Sequence, residues 1–346
     1  MKIPEKEKRL FIISNSTHYL NVQTYIESHS PGENYLIYLN KYSKGYQEFI
    51  KILKKDQNIN LVEVISDNQK QKFPINKIQL ISFFVKVLLL KSKFGRDYNA
   101  VFLSNYLSWK QHFILKQFGR EKVVLINDGT AIFKTVQLRK LSKKITFPHV
   151  NSLINKYLDL NFIESLHFYS PIQLEVAEYD SLEKFNFKAT NNSKVNLKKI
   201  YFVGSDLVEL DLLKLKYHLN YLHQIKGLFQ DCQITYFAHR GEKDILLEKY
   251  KFFGNVVRDS IPFEQRIDKE KELPGVIISY SSSVLINLPQ VYPQILFYYF
   301  PLEGDSIPDS SRFKKSYPEL LKYFEKINAA NFTALTLTPE TSLENS

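Results

Sequence analysis

The chain has one cysteine, Cys232, and one methionine among 346 residues. A lone cysteine forms no internal disulfide and cannot build a cysteine-based zinc site, and it fits a reducing compartment. Glycine (11) and proline (13) are sparse, which excludes a collagen-like or low-complexity chain. Long apolar runs are missing as well. The most apolar window, Ile78–Leu90, carries Lys86 inside it and falls short of the roughly 20 residues needed to span a bilayer. A buried helix is expected there. Met1–Arg9 is polar, and the apolar Leu10–Ser14 is too short for a signal-peptide core. No Gly-x-x-x-x-Gly-Lys-Ser/Thr loop occurs, which disfavours a P-loop nucleotidase. No Gly-x-Gly-x-x-Gly follows the first apolar run, which disfavours a dinucleotide dehydrogenase. An Asp-x-Asp that would hold a nucleotide diphosphate through a metal is also missing, and the histidines show no metal-ligand spacing.

What is present is an ordinary globular balance, 44% hydrophobic and 24% charged, with Tyr (22) and Phe (26) providing a large aromatic core. Lys+Arg at 47 against Asp+Glu at 36 gives a net charge of +11. Acidic and basic residues are mixed along most of the chain, and no zinc-finger or RRM signature appears, so nucleic acid is not an expected partner. A local concentration does occur: Lys134, Arg139, Lys140, Lys143 and Lys144 interleave with Phe133, Val136, Leu138, Leu141, Ile145 and Phe147. This Lys134–Lys144 region reads equally as a basic amphipathic patch for anionic lipid and as a solvated helix face.

Short apolar runs recur at Leu10–Ser14, Tyr35–Leu39, Leu61–Ile65, Ala100–Ser104 and Lys122–Asn127, and each predicts a buried strand. Intervening segments have helical spacing; in Ser43–Lys54, Tyr46, Phe49, Ile50 and Leu53 fall at i, i+3, i+4 and i+7. A second series follows: Ile200–Gly204, Gln233–Ala238, Asn255–Arg258, Gly275–Tyr280 and Gln294–Phe300, with a helix expected over Leu207–Phe229. Strands alternating with helices predict parallel sheets covered on both faces. The expected fold class is α/β, with two domains facing a cleft. Residues 1–178 make the first domain, 179–197 a polar linker, 198–335 the second domain, and 336–346 a polar tail.

In open α/β sheets, reactive residues gather where loops leave the carboxyl ends of strands. Three such places stand out. Ile126-Asn127-Asp128-Gly129-Thr130 puts a carboxylate on a tight loop, where Asp128 could serve as a general base, although Asp-Gly is also a common turn pair. His239-Arg240 sets an imidazole beside a fixed cation after a strand, suited to an anionic leaving group. Ser281-Ser282-Ser283 offers hydroxyls and free N–H groups at a strand-to-helix junction, either as an anion site or as simple capping.

The order Asp-Gly, His-Arg, serine run resembles the bacterial sialyltransferases with two Rossmann-like domains, the GT-B type. Glycosyltransferase family 52, the lipooligosaccharide sialyltransferases, is nearest, with the polysialyltransferase and Pasteurella-type families as relatives in motif. Those families carry (Asp/Glu)-(Asp/Glu)-Gly, His-Pro and Ser-Ser/Thr motifs, which correspond to Asn127-Asp128-Gly129, His239-Arg240 and Ser281-Ser282-Ser283. Pro262-Phe263-Glu264 matches a Pro-x-Glu that holds the donor's ribose. Asn127 replaces the first acid and Arg240 the proline.

The resemblance implies inverting transfer of sialic acid from CMP-sialic acid to a sugar hydroxyl, such as galactose, of a bacterial lipooligosaccharide or capsule. Asp128 would be the base and His239 the proton donor to CMP. Arg240, Ser281, Ser282 and Ser283 would hold the phosphate, Glu264 the ribose, and Gly204-Ser205 would let backbone N–H groups approach the nucleotide. No metal or other cofactor is implied. The expected location is cytoplasmic, with peripheral attachment to the inner face of the membrane. Two alternatives stay open: transfer of another CMP-activated ulosonic acid (Kdo, legionaminic or pseudaminic acid), or a non-catalytic subunit of glycan assembly.

Overall fold

The computed structural model of the chain describes residues 6–40, 46–66, 75–95, 97–127, 129, 131–141, 156, 163–188, 191–259, 261–302, 304–308, 313–327 and 329–337. Two compact units divide between Phe185 and Asn186.

The first unit runs β1 (Glu7–Ile13), α1 (Ser16–Ser28), β2 (Gly32–Asn40), α2 (Tyr46–Lys55), β3 (Leu61–Ser66), α3 (Ile75–Phe94), β4 (Asp97–Leu103), α4 (Trp109–Leu115), β5 (Gly119–Ile126), α5 (Ala131–Lys140), β6 (His167–Ser170) and β7 (Ser181–Lys184). Its seven strands lie in the order β3-β2-β1-β4-β5-β6-β7, and all pairings are parallel. Parallel strands covered by crossover helices are buried on both faces, so they read as continuous apolar runs. In β1, Leu10, Phe11, Ile12 and Ile13 are all fully buried. Phe11 packs on Phe102 of β4, with ring centroids 4.3 Å apart.

The second unit repeats the plan: β8 (Val195–Val203), α6 (Leu215–Leu228), β9 (Gln233–Phe237), α7 (Asp244–Tyr250), β10 (Asn255–Val257), α8 (Phe263–Asp268), β11 (Leu273–Ser279), α9 (Val284–Asn287), β12 (Leu296–Tyr299), α10 (Phe313–Glu325) and β13 (Phe332–Ala334). Its parallel sheet has the order β10-β9-β8-β11-β12-β13. The core is aromatic: Phe202 stacks on Tyr236 at 5.1 Å and meets Tyr280 edge-on at 5.6 Å. His218 of α6 is buried in this cluster and bonds the Tyr280 hydroxyl through Nδ1 at 2.6 Å. Burial drives its pKa down to about 3, so it is a neutral core residue.

Both sheets are Rossmann-like, in agreement with the α/β expectation. Several boundaries differ. The segment expected as linker, 179–197, contains β7, which pairs with β6 in the register His167↔Ser181 to Ser170↔Lys184. It also contains the start of β8. β6, β7 and β13 carry no long apolar run and have no counterpart in the sequence reading. The helix expected over Leu207–Phe229 begins only at Leu215, because Asp206–Leu213 forms a series of turns. Finally, α3 is not buried all round. Phe83, Val87, Leu90 and Phe94 face the core, whereas Ile81, Val85, Leu88 and Leu89 are 61%, 49%, 54% and 63% exposed. Among the described residues no helix is long and apolar enough to cross a membrane.

The basic patch expected over Lys134–Lys144 is corrected in part. Arg139 is buried on the inner face of α5 together with Ile132 and Thr135. Its Nε donates to Asp180 Oδ2 at 3.0 Å, Nη1 to the Ile163 carbonyl at 2.9 Å and Nη2 to the Glu164 carbonyl at 3.1 Å. A guanidinium so used is a structural tie, not a lipid contact. Lys140 pairs with Glu175 at 3.2 Å, and Lys143 and Lys144 lie outside the described residues.

Candidate functional site

In the second unit, the strand order turns between β8 and β11, and in open α/β sheets such a switch point, at the carboxyl ends of the strands, is where ligands bind. The chain leaves β8 through Gly204-Ser205 and β11 through Tyr280–Ser283, while neighbouring β9 ends in the loop of His239 and Arg240. Three of the sequence-predicted groups are thus brought to one edge of one sheet.

The His239 loop is the most determined part. Glu242 folds back beneath it and is only 3% exposed. Its Oε2 accepts the His239 backbone N–H at 2.6 Å, and its Oε1 accepts the Tyr236 hydroxyl at 2.6 Å. Burial pushes this carboxyl up to about 8; the two hydrogen bonds pull it back, and Glu209 and Asp206 raise it further. Arg258 donates to the Glu242 carbonyl at 2.6 Å and the Arg240 carbonyl at 3.3 Å, closing the loop from the β10 side.

The imidazole itself is 38% exposed. Its Nδ1 accepts the Gly241 N–H at 3.2 Å, so the neutral ring carries its proton on Nε2. Asp206 Oδ2 lies 3.6 Å from the same Nδ1. Burial lowers the His239 pKa and outweighs Asp206, which raises it; Arg240 and Arg258 lower it as well, and Glu209 raises it. The resting ring is neutral with its proton on Nε2, and Asp206 is placed to stabilise the imidazolium, the form able to give up a proton.

Gly204 takes a part other than the expected one. Its N–H donates to the Phe237 carbonyl at 2.8 Å and so extends the β8–β9 ladder; this N–H is not open to a nucleotide. Its missing side chain serves the loop instead, because a Cβ there would stand 2.6 Å from Glu242 Oε2 and 2.8 Å from the Tyr236 hydroxyl. Ser205 Oγ, next in the chain, is buried with no hydrogen-bond partner.

The serine run leads into α9, a helix of only four residues. Ser282 Oγ accepts the Val284 N–H at 3.3 Å, so one serine does the turn's own work. Ser283, at the N-cap position, makes no side-chain cap bond. All three serines are half-buried. Glu264, in the first turn of α8, is 6% exposed, and its Oε1 accepts Asn287 Nδ2 at 2.9 Å. Burial raises its pKa. In this structure Glu264 ties α8 to α9, the helix that follows the serines.

In the first unit, β5 leads into Asn127-Asp128-Gly129, of which Asp128 lies outside the described residues. Asn127 is 1% exposed. Its carbonyl accepts Asn21 Nδ2 of α1 at 2.8 Å and its Oδ1 accepts Ser170 Oγ of β6 at 3.4 Å. A carboxylate in this pocket would be a buried charge with neutral partners, so an amide suits the place better than the acid of the motif. Gly129 has φ +57°, the left-handed region that favours glycine. At the β1 end, Asn15 caps α1 by accepting the His18 N–H at 2.9 Å, and His18 Nδ1 accepts the Ser14 N–H at 3.4 Å.

Sequence reasoning missed Asp206, Glu242, Tyr236 and Arg258. A weak signal existed for two: Asp206 directly follows Gly204-Ser205, and Glu242 lies three residues beyond His239. Among the described residues, no group of three or more His, Cys, Asp or Glu side chains is placed to hold a metal ion.

The model of the alpha-2,8-polysialyltransferase (POLYST) family matches residues 9–300. No curated protein sequence matches the chain. Among solved structures, a 2,6-sialyltransferase from Photobacterium sp. JT-ISH-224, in a ternary complex with CMP and lactose, is similar with a TM-score of 0.52 at 13% identity, covering 94% of this chain and 78% of that one. A Listeria monocytogenes protein assigned as a UDP-N-acetylglucosamine 2-epimerase is similar with a TM-score of 0.52 at 10% identity, covering 92% and 89%. At these identities the structures share the fold of GT-B glycosyltransferases and related epimerases.

Proposed function

The chain belongs to the alpha-2,8-polysialyltransferase family and is a CMP-sialic acid-dependent glycosyltransferase, and from that premise we propose an inverting mechanism carried by Asp128 and His239. The family is one of the relatives in motif named above, and its own description supports a sialyl donor. The acceptor hydroxyl attacks the anomeric carbon of sialic acid and Asp128 takes its proton. The bond to the CMP phosphate oxygen breaks, and His239 supplies a proton or hydrogen bond from Nε2 to the departing phosphate. Arg240, Ser205 and the serine run neutralise the phosphate, with Glu264 toward the ribose. CMP leaves with the charge of one phosphate, which protein donors can offset without a metal. The base is thus assigned to the first unit and donor binding to the second.

The observation that carries this reading is the His239 loop: Gly241 fixes the tautomer, and Glu242 pins the backbone that aims the ring. For the acceptor, the motif resemblance favours galactose of a lipooligosaccharide or capsule, whereas the family description favours a sialic acid. The work would take place on the cytoplasmic side, the reducing compartment that a lone cysteine fits.

The test is a thermal-shift titration with CMP, UDP and GDP, with and without EDTA, followed by transfer assays on lactose and on oligosialic acid. CMP-selective stabilisation that EDTA leaves unchanged is expected. Preference for UDP or GDP, or dependence on a metal, would remove the proposed donor chemistry. A panel of CMP-activated ulosonic acids separates sialic acid from Kdo or pseudaminic acid.

A further inference from the structure

Helix α3 spans 20 residues, INKIQLISFFVKVLLLKSKF, and contains no Asp or Glu. Side chains at i, i+4, i+7 and i+8 share a helix face. Phe83, Val87, Leu90 and Phe94 occupy one face and are 3%, 0%, 4% and 2% exposed. They hold the helix on the first sheet's core. The opposite face carries Ile81, Val85, Leu88 and Leu89, each about half exposed or more, with Ser92 continuing the line. A helix on the surface of an α/β unit ordinarily turns charge to water there. This one turns four large aliphatic side chains outward in an unbroken stripe, the kind of patch that marks an interaction surface.

The borders of the stripe say what covers it. Lys86 and Lys93, both exposed, run along one flank, seven residues apart on the same face. Lys91 stands on the other flank. Lys93 also pairs with Glu63 of β3. Every charged residue of the helix is cationic, and among the described side chains Lys86, Lys91 and Lys93 line the edges of the apolar stripe rather than its centre. A protein partner's apolar surface makes no demand for one-signed charge at the rim. An anionic lipid surface does, because the aliphatic face sinks below the headgroups while lysines at the waterline meet phosphate. The net charge of +11 acts in the same direction.

We propose that the outward face of α3 rests on an anionic membrane surface, with Ile81, Val85, Leu88 and Leu89 inserted and Lys86, Lys91 and Lys93 at the headgroups. The inference is independent of which glycan is made. It also relocates membrane contact from α5, whose Arg139 is spent internally, to α3.

The experiment is co-sedimentation of the full chain with vesicles of phosphatidylcholine, alone or mixed with phosphatidylglycerol, at low and high salt. The wild type should bind the mixed vesicles, weakly or not at all the neutral ones, and less at high salt. Leu88→Glu/Leu89→Glu should lose about tenfold or more of that binding, and the milder Ile81→Ser/Val85→Ser should lose a smaller part. Both should keep the wild-type melting curve, because the altered side chains are exposed. Lys86→Gln/Lys93→Gln should remove the preference for phosphatidylglycerol. Lys134→Gln/Lys140→Gln on α5 serves as the control and should bind as the wild type does. The proposal is overturned if the wild type binds neither vesicle, or if the α3 variants bind unchanged. It is likewise overturned if only the α5 variant loses binding, or if light scattering shows a wild-type dimer that Leu88→Glu/Leu89→Glu converts to monomer.

Discussion

Asp206 and His239 meet across the end of the second sheet, with Oδ2 3.6 Å from Nδ1. The same nitrogen accepts the Gly241 N–H, so the two acidic and amide partners compete for one edge of the ring. A neutral ring keeps the Gly241 bond. A protonated ring must surrender it and turn to Asp206. Asp206 is thus a positioning residue for the proposed proton donor. Removing its charge should lower the His239 pKa further, since Asp206 is the largest influence opposing burial. The protonated form is lost as pH rises, so Asp206→Asn should move the alkaline limb of kcat to lower pH and cost roughly tenfold there. NMR titration of the His239 ring reports the same shift without turnover. An unchanged titration in Asp206→Asn would dismiss this role even if His239 itself proves essential.

Glu242 makes stability depend on pH. Its carboxyl has a pKa of about 8 in the folded chain against 4.5 for an ordinary glutamate. Between those values the folded state holds a proton that the unfolded state has released, so stability falls as pH rises through this window and levels off above it. Glu242→Gln can still accept the His239 N–H and can donate to Tyr236. Melting temperatures measured from pH 5 to about 9 should therefore flatten in this variant, with transfer retained. Glu242→Ala should lose both the loop geometry and most activity.

Asp128→Ala should reduce transfer by about a hundredfold to ten-thousandfold while CMP still raises the melting temperature. Retained transfer would reassign the base. Loss of CMP stabilisation would instead show that the residue supports the fold or the donor.

Asp180 tests the internal role of Arg139. Besides the guanidinium, it accepts the Leu166 N–H at 2.9 Å, and its side chain is fully buried. Asp180→Ala strands a buried cation, which costs about 3–5 kcal/mol and should lower the melting temperature by roughly 10 °C. A change within a degree or two would place Arg139 at the surface after all.

Much of the architecture was legible because parallel strands bury both faces. β1, β2, β9 and β11 announce themselves as uninterrupted apolar runs. β7 does not: its sequence SLEK gains its place only from the ladder offered by β6, and such pairing leaves little trace in composition. The site was legible where a loop residue follows a strand, as at His239. It was illegible where a side chain folds back under the loop, as Glu242 does, or where a glycine serves as space rather than as backbone, as Gly204 does. The apolar window Ile78–Leu90 marked α3 as a buried helix, yet it could not say which of the helix's apolar faces the sheet would cover.

The order of the strands also sets a kinetic demand. No hairpin occurs in either sheet among the described residues. The central pair of the first unit is joined by contacts such as Lys8 N–H to Asn99, 91 positions apart, and that of the second by Ser279 to the Val203 carbonyl, 76 apart. Closing such distances costs chain entropy before any pairing returns it, so each unit must search slowly and carry exposed strand edges while it does. Refolding from denaturant should accordingly be slow and lossy at high protein concentration, and gentler at low temperature and dilution.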